Sequence, residues 1–456
     1  EEVLRKQETN SDFIMTFDKT FNNAYSVVAQ VGGVHRTNYT KRNYTNVQAL
    51  VINGLYNVAN NAIPNQDESD IIERETNSLF GSLQLGYKGF LFAEVTARND
   101  WSSTLPDGEN SYFYTSVSLT GVLTEAFDIS GSFLTFAKLR ASWAKVGNDA
   151  DPYLTSQIYQ PRNPWNGSTP TFAEDVLLAN SSLRNEETTG IELGADLRFL
   201  NGRLGLDVTY YDQTSTDQIM QVEISKASGY DKKVINAGEI NNQGVEVILS
   251  GTPVQLANGF SWDVAVNYSV NRNEVIELAE GLQTIVLQSR RGLSLEARVG
   301  QPYGSFYGTA YDRAPDGQII YEDGIPQVAD ELQIIGNVVP DWIGGIQNTF
   351  SYKGFAVTAL VDARMGGDIA DESTSTGMQT GIYPVTALGR EEGVIGAGVK
   401  NIGTAENPNF VPNDVVVPTK SLTRMMSVRS VNEGAIYDAS FIKLRQLSVR
   451  YSLPSS

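Results

Sequence analysis

Apolar and polar residues alternate in long runs along this chain. Ahead of Asn201-Gly202, Ile191, Leu193, Ala195, Leu197 and Phe199 take the odd positions, and Glu192, Gly194, Asp196 and Arg198 take the even ones. A period of two belongs to a strand, whose successive side chains point to opposite faces. Asn-Gly supplies the two positive-φ residues of a tight hairpin turn, after which Leu204, Leu206, Val208 and Tyr210 resume the apolar face. The alternation recurs at Phe260, Trp262, Val264, Val266, Tyr268 and Val270 against Ser261, Asp263, Ala265, Asn267, Ser269 and Asn271. It recurs again at Phe355, Val357, Ala359, Val361 and Ala363, with Thr358, Asp362 and Arg364 among the residues between.

Runs of this length exceed the ~5–6 residues usual for a globular strand and reach the ~9–11 that a tilted strand needs to cross a bilayer. They predict an all-β fold, a transmembrane antiparallel β-barrel of the outer-membrane type. About thirteen strands are predicted. These are 13–19 and 23–35, 77–88 and 90–100, 112–124 and 135–147, the two strands around Asn201-Gly202, 240–251 and 260–272, 343–353 and 355–365, and a closing strand at 437–454. Tight connections alternate with long ones, among them a polar excursion over 37–75 and the segments 148–185, 217–238, 273–341 and 366–436. Short periplasmic turns and long extracellular loops give an outer-membrane barrel that asymmetry, whereas a propeller or solenoid would show a fixed repeat.

Composition narrows the classes further. Among 456 residues there is no cysteine and one histidine, and the formal charge is -19. The lack of cysteine excludes disulfide staples, thiolate metal sites and a cysteine nucleophile. The acidic balance leaves no basic stripe for nucleic acid. No apolar run approaches the ~18–20 residues of a transmembrane helix, and a mean hydropathy of -0.23 fits a chain in which only alternate residues face lipid. No Pro-, Gly- or Ser-rich linker divides the chain. With neither an initiating Met nor a signal peptide, Glu1 reads as an internal residue of a longer precursor.

A family resemblance then emerges from local motifs. "TARNDWSSTLP" (96–106) with "SYFYTSVSLT" (111–120), "LRASWAKVGND" (139–149), "NAGEINNQGVEVILSG" (236–251), "FSWDVAVNYSVNRNEVIEL" (260–278), "GQPYGSFYG" (300–308), "IGNVVPDWIGGIQNTFSYKGF" (335–355) and "ASFIKLRQLSVRYSLP" (439–454) occur in this order. In them the chain resembles the SusC-like (SusC/RagA) TonB-dependent outer-membrane transporters of Bacteroidota. The resemblance implies that 1–456 is part of a barrel of about 22 strands. The signal peptide, a small N-terminal extension, the TonB box, the plug and the last strands would lie outside it. It further implies import of a large nutrient together with a SusD-like surface lipoprotein and the TonB complex, from a barrel embedded in membrane lipid and lipopolysaccharide. Oligosaccharide is the expected cargo. Oligopeptide import and a scaffolding role in an envelope complex are the alternatives.

Specific residues carry the expectations for sites. Glu192, Asp196, Arg198, Asp263, Asn267, Asp362 and Arg364 are expected to face the lumen, where they either line the channel or pair into an interstrand ladder. Tyr87, Phe90, Tyr112, Phe113, Tyr114, Tyr210, Tyr211, Tyr352 and Phe355 suit interfacial girdles. Tyr159 and Trp165, in "YQPRNPWNGSTP", either contact cargo or a lid protein or pack their own loop. "DRAPDGQIIYEDG" (312–324) clusters acids that offer oxygen ligands for calcium but lacks the alternating spacing and final Glu of an EF-hand loop, so turns at Asp316-Gly317 and Asp323-Gly324 are preferred to calcium coordination. The single imidazole, His35, has no nucleophile elbow near it, and no Gly-rich phosphate loop opens a helix. No catalytic residue, cofactor or metal ligand is therefore assigned, and the expected class is a transporter, not an enzyme.

Overall fold

The computed structural model describes residues 2–129, 131, 133–166 and 168–453. Thirteen long strands form one sheet in which neighbours follow chain order. They are β1 (Glu2–Phe21), β2 (Tyr25–Asn46), β3 (Gln66–Tyr87), β4 (Leu91–Ser102), β5 (Ser111–Val122), β6 (Leu134–Asn148), β7 (Glu186–Phe199), β8 (Leu204–Thr216), β9 (Glu239–Gln255), β10 (Ser261–Glu277), β11 (Trp342–Tyr352), β12 (Phe355–Met365) and β13 (Phe441–Tyr451). All thirteen predicted strands are present. Their pairing is antiparallel, as in β1 with β2 and β11 with β12.

The tight turns owe their shape to residues that tolerate positive φ. Asn201 and Gly202 sit at 57° and 81°, and the two Lys-Gly turns, Lys88-Gly89 and Lys353-Gly354, adopt the same left-handed pair. The polar excursion departs from expectation. Residues 37–46 and 66–75 are not loop but the far ends of β2 and β3, paired without a break from Asn46↔Gln66 to Tyr25↔Tyr87. The period-two signal fades there because both faces meet water, and cross-strand charges take over. Arg42 lies 2.7 Å from Glu2 and 3.7 Å from both Glu68 and Asp70. The closing strand is also shorter than expected. Ile436–Asp438 pairs separately with Asp368–Ala370, β13 begins at Phe441, and Pro454 lies outside the described residues.

Contacts divide the chain into two compact units, residues 1–130, 137–193 and 213–238, and residues 131–136, 194–212 and 239–456. The first carries a core of Leu105, Tyr112, Ala150, Leu183 and Val234 beneath its loops. Asp149, with a side chain 1% exposed, pins the strand ends below this core. It is ion-paired to Arg74 and accepts hydrogen bonds from Ser102 and, at 3.2 Å, from Thr104. In the second unit the segments 278–341 and 366–440 fold around buried Phe306, Val399, Val417, Val428 and Val431. Asn432 and Glu433 join the two segments by accepting the N–H groups of Thr309 and Tyr311 at 3.0 and 2.8 Å.

The apolar face of the sheet has no protein cover. Phe13 is 60% exposed, Leu193 52% and Leu447 65%. Aromatic rings gather at the turn end of this face, where Tyr25 contacts Tyr87, Tyr87 contacts Phe90, and Phe355 contacts Tyr451. Three of the expected girdle residues belong elsewhere. Tyr112 is buried in the first unit's core, Tyr114 donates to Asp100 at 2.8 Å, and the Tyr211 hydroxyl reaches across the polar face. Adjacent residues of one strand point to opposite faces, so Tyr112 and Tyr114 cannot share a face with Phe113, nor Tyr211 with Tyr210.

Candidate functional site

The pairing of β9 with β10 sets Asn242 opposite Asn273 and Gly244 opposite Asn271. Opposed residues share a face, so these amides form a ladder on the polar side of the sheet. Asn242 Oδ1 accepts from Asn271 Nδ2 at 3.3 Å and from Asn273 Nδ2 at 2.8 Å. The Tyr211 hydroxyl donates to Asn271 Oδ1 at 3.0 Å, and Asn273 Oδ1 accepts the Tyr303 N–H at 2.6 Å. Gly244 makes room for this crossing, since a Cβ there would lie 2.5 Å from the Tyr211 hydroxyl oxygen. β8, β9, β10 and the start of the following loop are thus tied together through carboxamides.

Beside the ladder lies a cavity of about 540 Å³. Its lining comes from both faces of β9 and β10: Asn271 and Asn273 lie on the ladder's face, Asn241, Gln243, Arg272 and Glu274 on the opposite one, and Gln301, Asn337 and Asp341 come from outside the two strands. Each carboxamide offers donors and an acceptor on one planar group. Such a lining can match a ligand dense in hydroxyls or amides, and no single charge dominates it. Among the described residues no group of three His, Asp or Glu side chains gathers to hold a metal ion.

The seven residues expected at the lumen lie on the sheet but outside this cavity lining. Asp196 and Arg198 are 3.6 Å apart, and the Arg198 guanidinium lies 4.9 Å over the Phe136 ring. Asp362 takes a 2.7 Å bond from Arg445, while Arg364 donates to the Val338 carbonyl at 2.7 Å. Asp263 accepts from Thr252 at 2.6 Å. Glu192 is exposed, and Asn267 shares the strand face of Asn271, four positions along β10. Tyr159 and Trp165, each 68% exposed, belong to a loop hairpin formed by Tyr159–Trp165 and Thr169–Glu174. His35 Nδ1 is 2.8 Å from Asn77 Oδ1. The turns expected at Asp316-Gly317 and Asp323-Gly324 are present, with Gly317 at φ 87° and Gly324 at 77°.

The cavity residues were not singled out by alternation, although "NNQG" (241–244) and "NRN" (271–273) mark both strands as unusually rich in amides. Their convergence depends on the register, which the linear order does not display.

Comparison with known proteins adds a family. Residues 4–379 match the family model described as TonB dependent receptor-like, beta-barrel. The whole chain aligns at 26% identity with "TonB-dependent receptor P3" of Formosa agariphila, covering 46% of that protein. "TonB-dependent receptor SusC" of Bacteroides thetaiotaomicron is 26% identical over 45% of this chain and 21% of its own. Among solved structures, the RagAB peptide importer in its closed-closed state superposes with a TM-score of 0.78 at 18% identity, over 99% of this chain and 50% of that one. That likeness establishes the fold. The chain spans less than half the length of these curated relatives.

Proposed function

The chain belongs to the TonB-dependent receptor-like β-barrel family of the outer membrane, and from that premise we propose that the complete protein imports a large, neutral, hydrophilic nutrient, an oligosaccharide, through the outer membrane. The carboxamide-lined cavity beside the Asn242–Asn271–Asn273 ladder carries this reading. Sugar hydroxyls both donate and accept, and paired amides meet both roles without the cost of desolvating a fixed charge. The family is one of receptors and transporters, so the polar groups serve binding and passage and not bond cleavage.

Residues 1–456 are then part of the barrel, with a plug and TonB box supplied by the rest of the protein and energy by the TonB complex. The polar face, with Glu192, Asp196, Arg198, Asp263, Asn267, Asp362 and Arg364, faces the lumen. The Arg445–Asp362 ion pair supports the interstrand-ladder role for Asp362, while Asp196 and Arg198 pair within one strand. A SusD-like lipoprotein closes the outer side. The outer segment 366–440 offers apolar surface for such a partner, with Ile382 at 74%, Leu388 at 68% and Val416 at 57% exposure. On the first unit, the rings of Tyr159 and Trp165 stand free to stack on cargo or partner.

The test is purification of the full-length protein from its native membrane in mild detergent, with mass spectrometry of co-purifying proteins and small molecules. Bound oligosaccharide and a surface lipoprotein are expected. Bound peptide changes the cargo class, and assembly subunits without cargo overturn import. With cargo identified, the double variant N271L/N273L should weaken its binding about tenfold or more by calorimetry, the scale of one or two lost hydrogen bonds. Unchanged affinity removes the cavity from the pathway.

A further inference from the structure

The apolar face of β1–β4 has a measurable height. At its turn end Phe21, Tyr25, Tyr87 and Leu91 lie in one row, each paired with the next. Further up, Ser11, His35, Asn77 and Trp101 form another row by the same pairing. Between the rows this face presents Phe13, Met15, Phe17, Val31 and Leu83, all at least 43% exposed. Ten strand residues at ~3.3 Å each span about 33 Å, which a tilt of ~40° reduces to about 25 Å, the height of the apolar band of an outer-membrane barrel. Above the second row the face turns polar through Thr9, Thr37 and Glu75. The row of His35 and Trp101 therefore marks the outer boundary of the hydrocarbon.

A groove of about 510 Å³ opens at that boundary. Phe13 and Leu79 form its apolar part, and Gly33 between them leaves the floor bare. A Cβ on Gly33 would already lie 3.3 Å from a Leu79 methyl carbon. The upper wall holds Ser11, His35, Asn77 and the indole of Trp101, which is 37% exposed. His35 is bonded to Asn77 at 2.8 Å and stands 3.7 Å from Glu75.

From this juxtaposition we propose that the groove seats an outer-leaflet glycolipid. One acyl chain lies against Phe13, Gly33 and Leu79, and the first sugar stacks on Trp101 with its hydroxyls on Ser11 and the His35–Asn77 pair. Continuity with the exposed apolar band argues for a lipid as the occupant. The hydrogen-bonding wall of Ser11, His35 and Asn77, with the Asp12 carboxylate also in the lining, selects a sugar. A phosphate is disfavoured by the Glu75 carboxylate beside His35 and by the lack of any Lys or Arg in the lining. The site is independent of the cargo cavity.

Full-length protein would be purified in mild detergent and its retained lipids extracted and quantified per protein by mass spectrometry. W101A and H35A are compared with the wild type and with L447A, a lipid-facing change on β13. Folding of each is checked by heat-modifiable gel migration. At least a threefold loss of glycolipid in W101A, with phospholipid unchanged and L447A unaffected, is expected. H35A should give a smaller loss of the same kind. If folded W101A retains glycolipid as the wild type does, or loses phospholipid in equal proportion, the seat does not exist. If W101A fails to fold, H35A alone decides by the same ratio.

Discussion

Asp371 caps the helix Glu372–Thr380 of the second unit by accepting the N–H and hydroxyl of Thr374 at 2.9 and 2.5 Å. The Thr374 hydroxyl first, and its N–H second, hold the Asp371 carboxyl below the usual carboxylate value. A lowered folded-state value means that the cap's contribution is fully present above the ordinary ~4 and is lost as pH falls through the folded value. Amide exchange at residues 373–378, corrected for intrinsic rates, should therefore accelerate below about pH 4. Asp371→Asn keeps the cap and should abolish that response, while Asp371→Ala should cost about 1 kcal/mol at neutral pH. An identical acid response in the Asn variant would show that another group is responsible. Asp149 is a carboxylate buried beneath the first unit's loops, and its partner Arg74 comes from β3. The "VGND" motif contains this residue, but only the fold reveals the pairing.

Strands were legible wherever one face meets lipid and the other does not. Leu193 and Gly194 test that division directly. Leu193→Arg, on the apolar face of β7, should cost about 2–4 kcal/mol of folding stability near the bilayer midplane, while Gly194→Arg should leave membrane assembly intact. Equal tolerance in a urea titration of folded protein in vesicles would refute the assignment of faces. Where the environment is the same on both sides, the pattern carries no signal, and so the far halves of β2 and β3 read as a polar excursion. The carboxamide site was hidden for a different reason. Asn242 and Asn273 are neighbours only through the register of two strands, with an irregularity between Gly251 and Val254 shifting the count from the turn. The girdle assignment fails at Tyr112, Tyr114 and Tyr211 because an aromatic cluster at a strand end contains residues of both parities, which point to opposite faces.

Across the whole chain, a single sheet order joins elements whose outer segments differ in character. The first unit packs its loops on one apolar core, whereas the second builds a body of short strands and two helices from two segments, 278–341 and 366–440. Neither body has a periodic sequence signature, since each is stabilised by contacts between segments distant in the chain, such as Asn432 with Thr309. Beyond the outer membrane boundary, β1 continues from Ser11 to Glu2, about 30 Å of further strand at ~3.3 Å per residue. β2 and β3 rise with it, linked at the top only by residues 47–65. Protease added to intact cells should cut within 47–65 and spare the paired segments 37–46 and 66–75; cleavage throughout would mean that the ribbon melts above the lipid. For an antibody or a phage, a hydrogen-bonded ribbon studded with Arg42, Glu68 and Asp70 is a firm, charged epitope standing clear of the bilayer. Changes to its surface charges would then alter recognition of the cell while leaving the carboxamide cavity untouched.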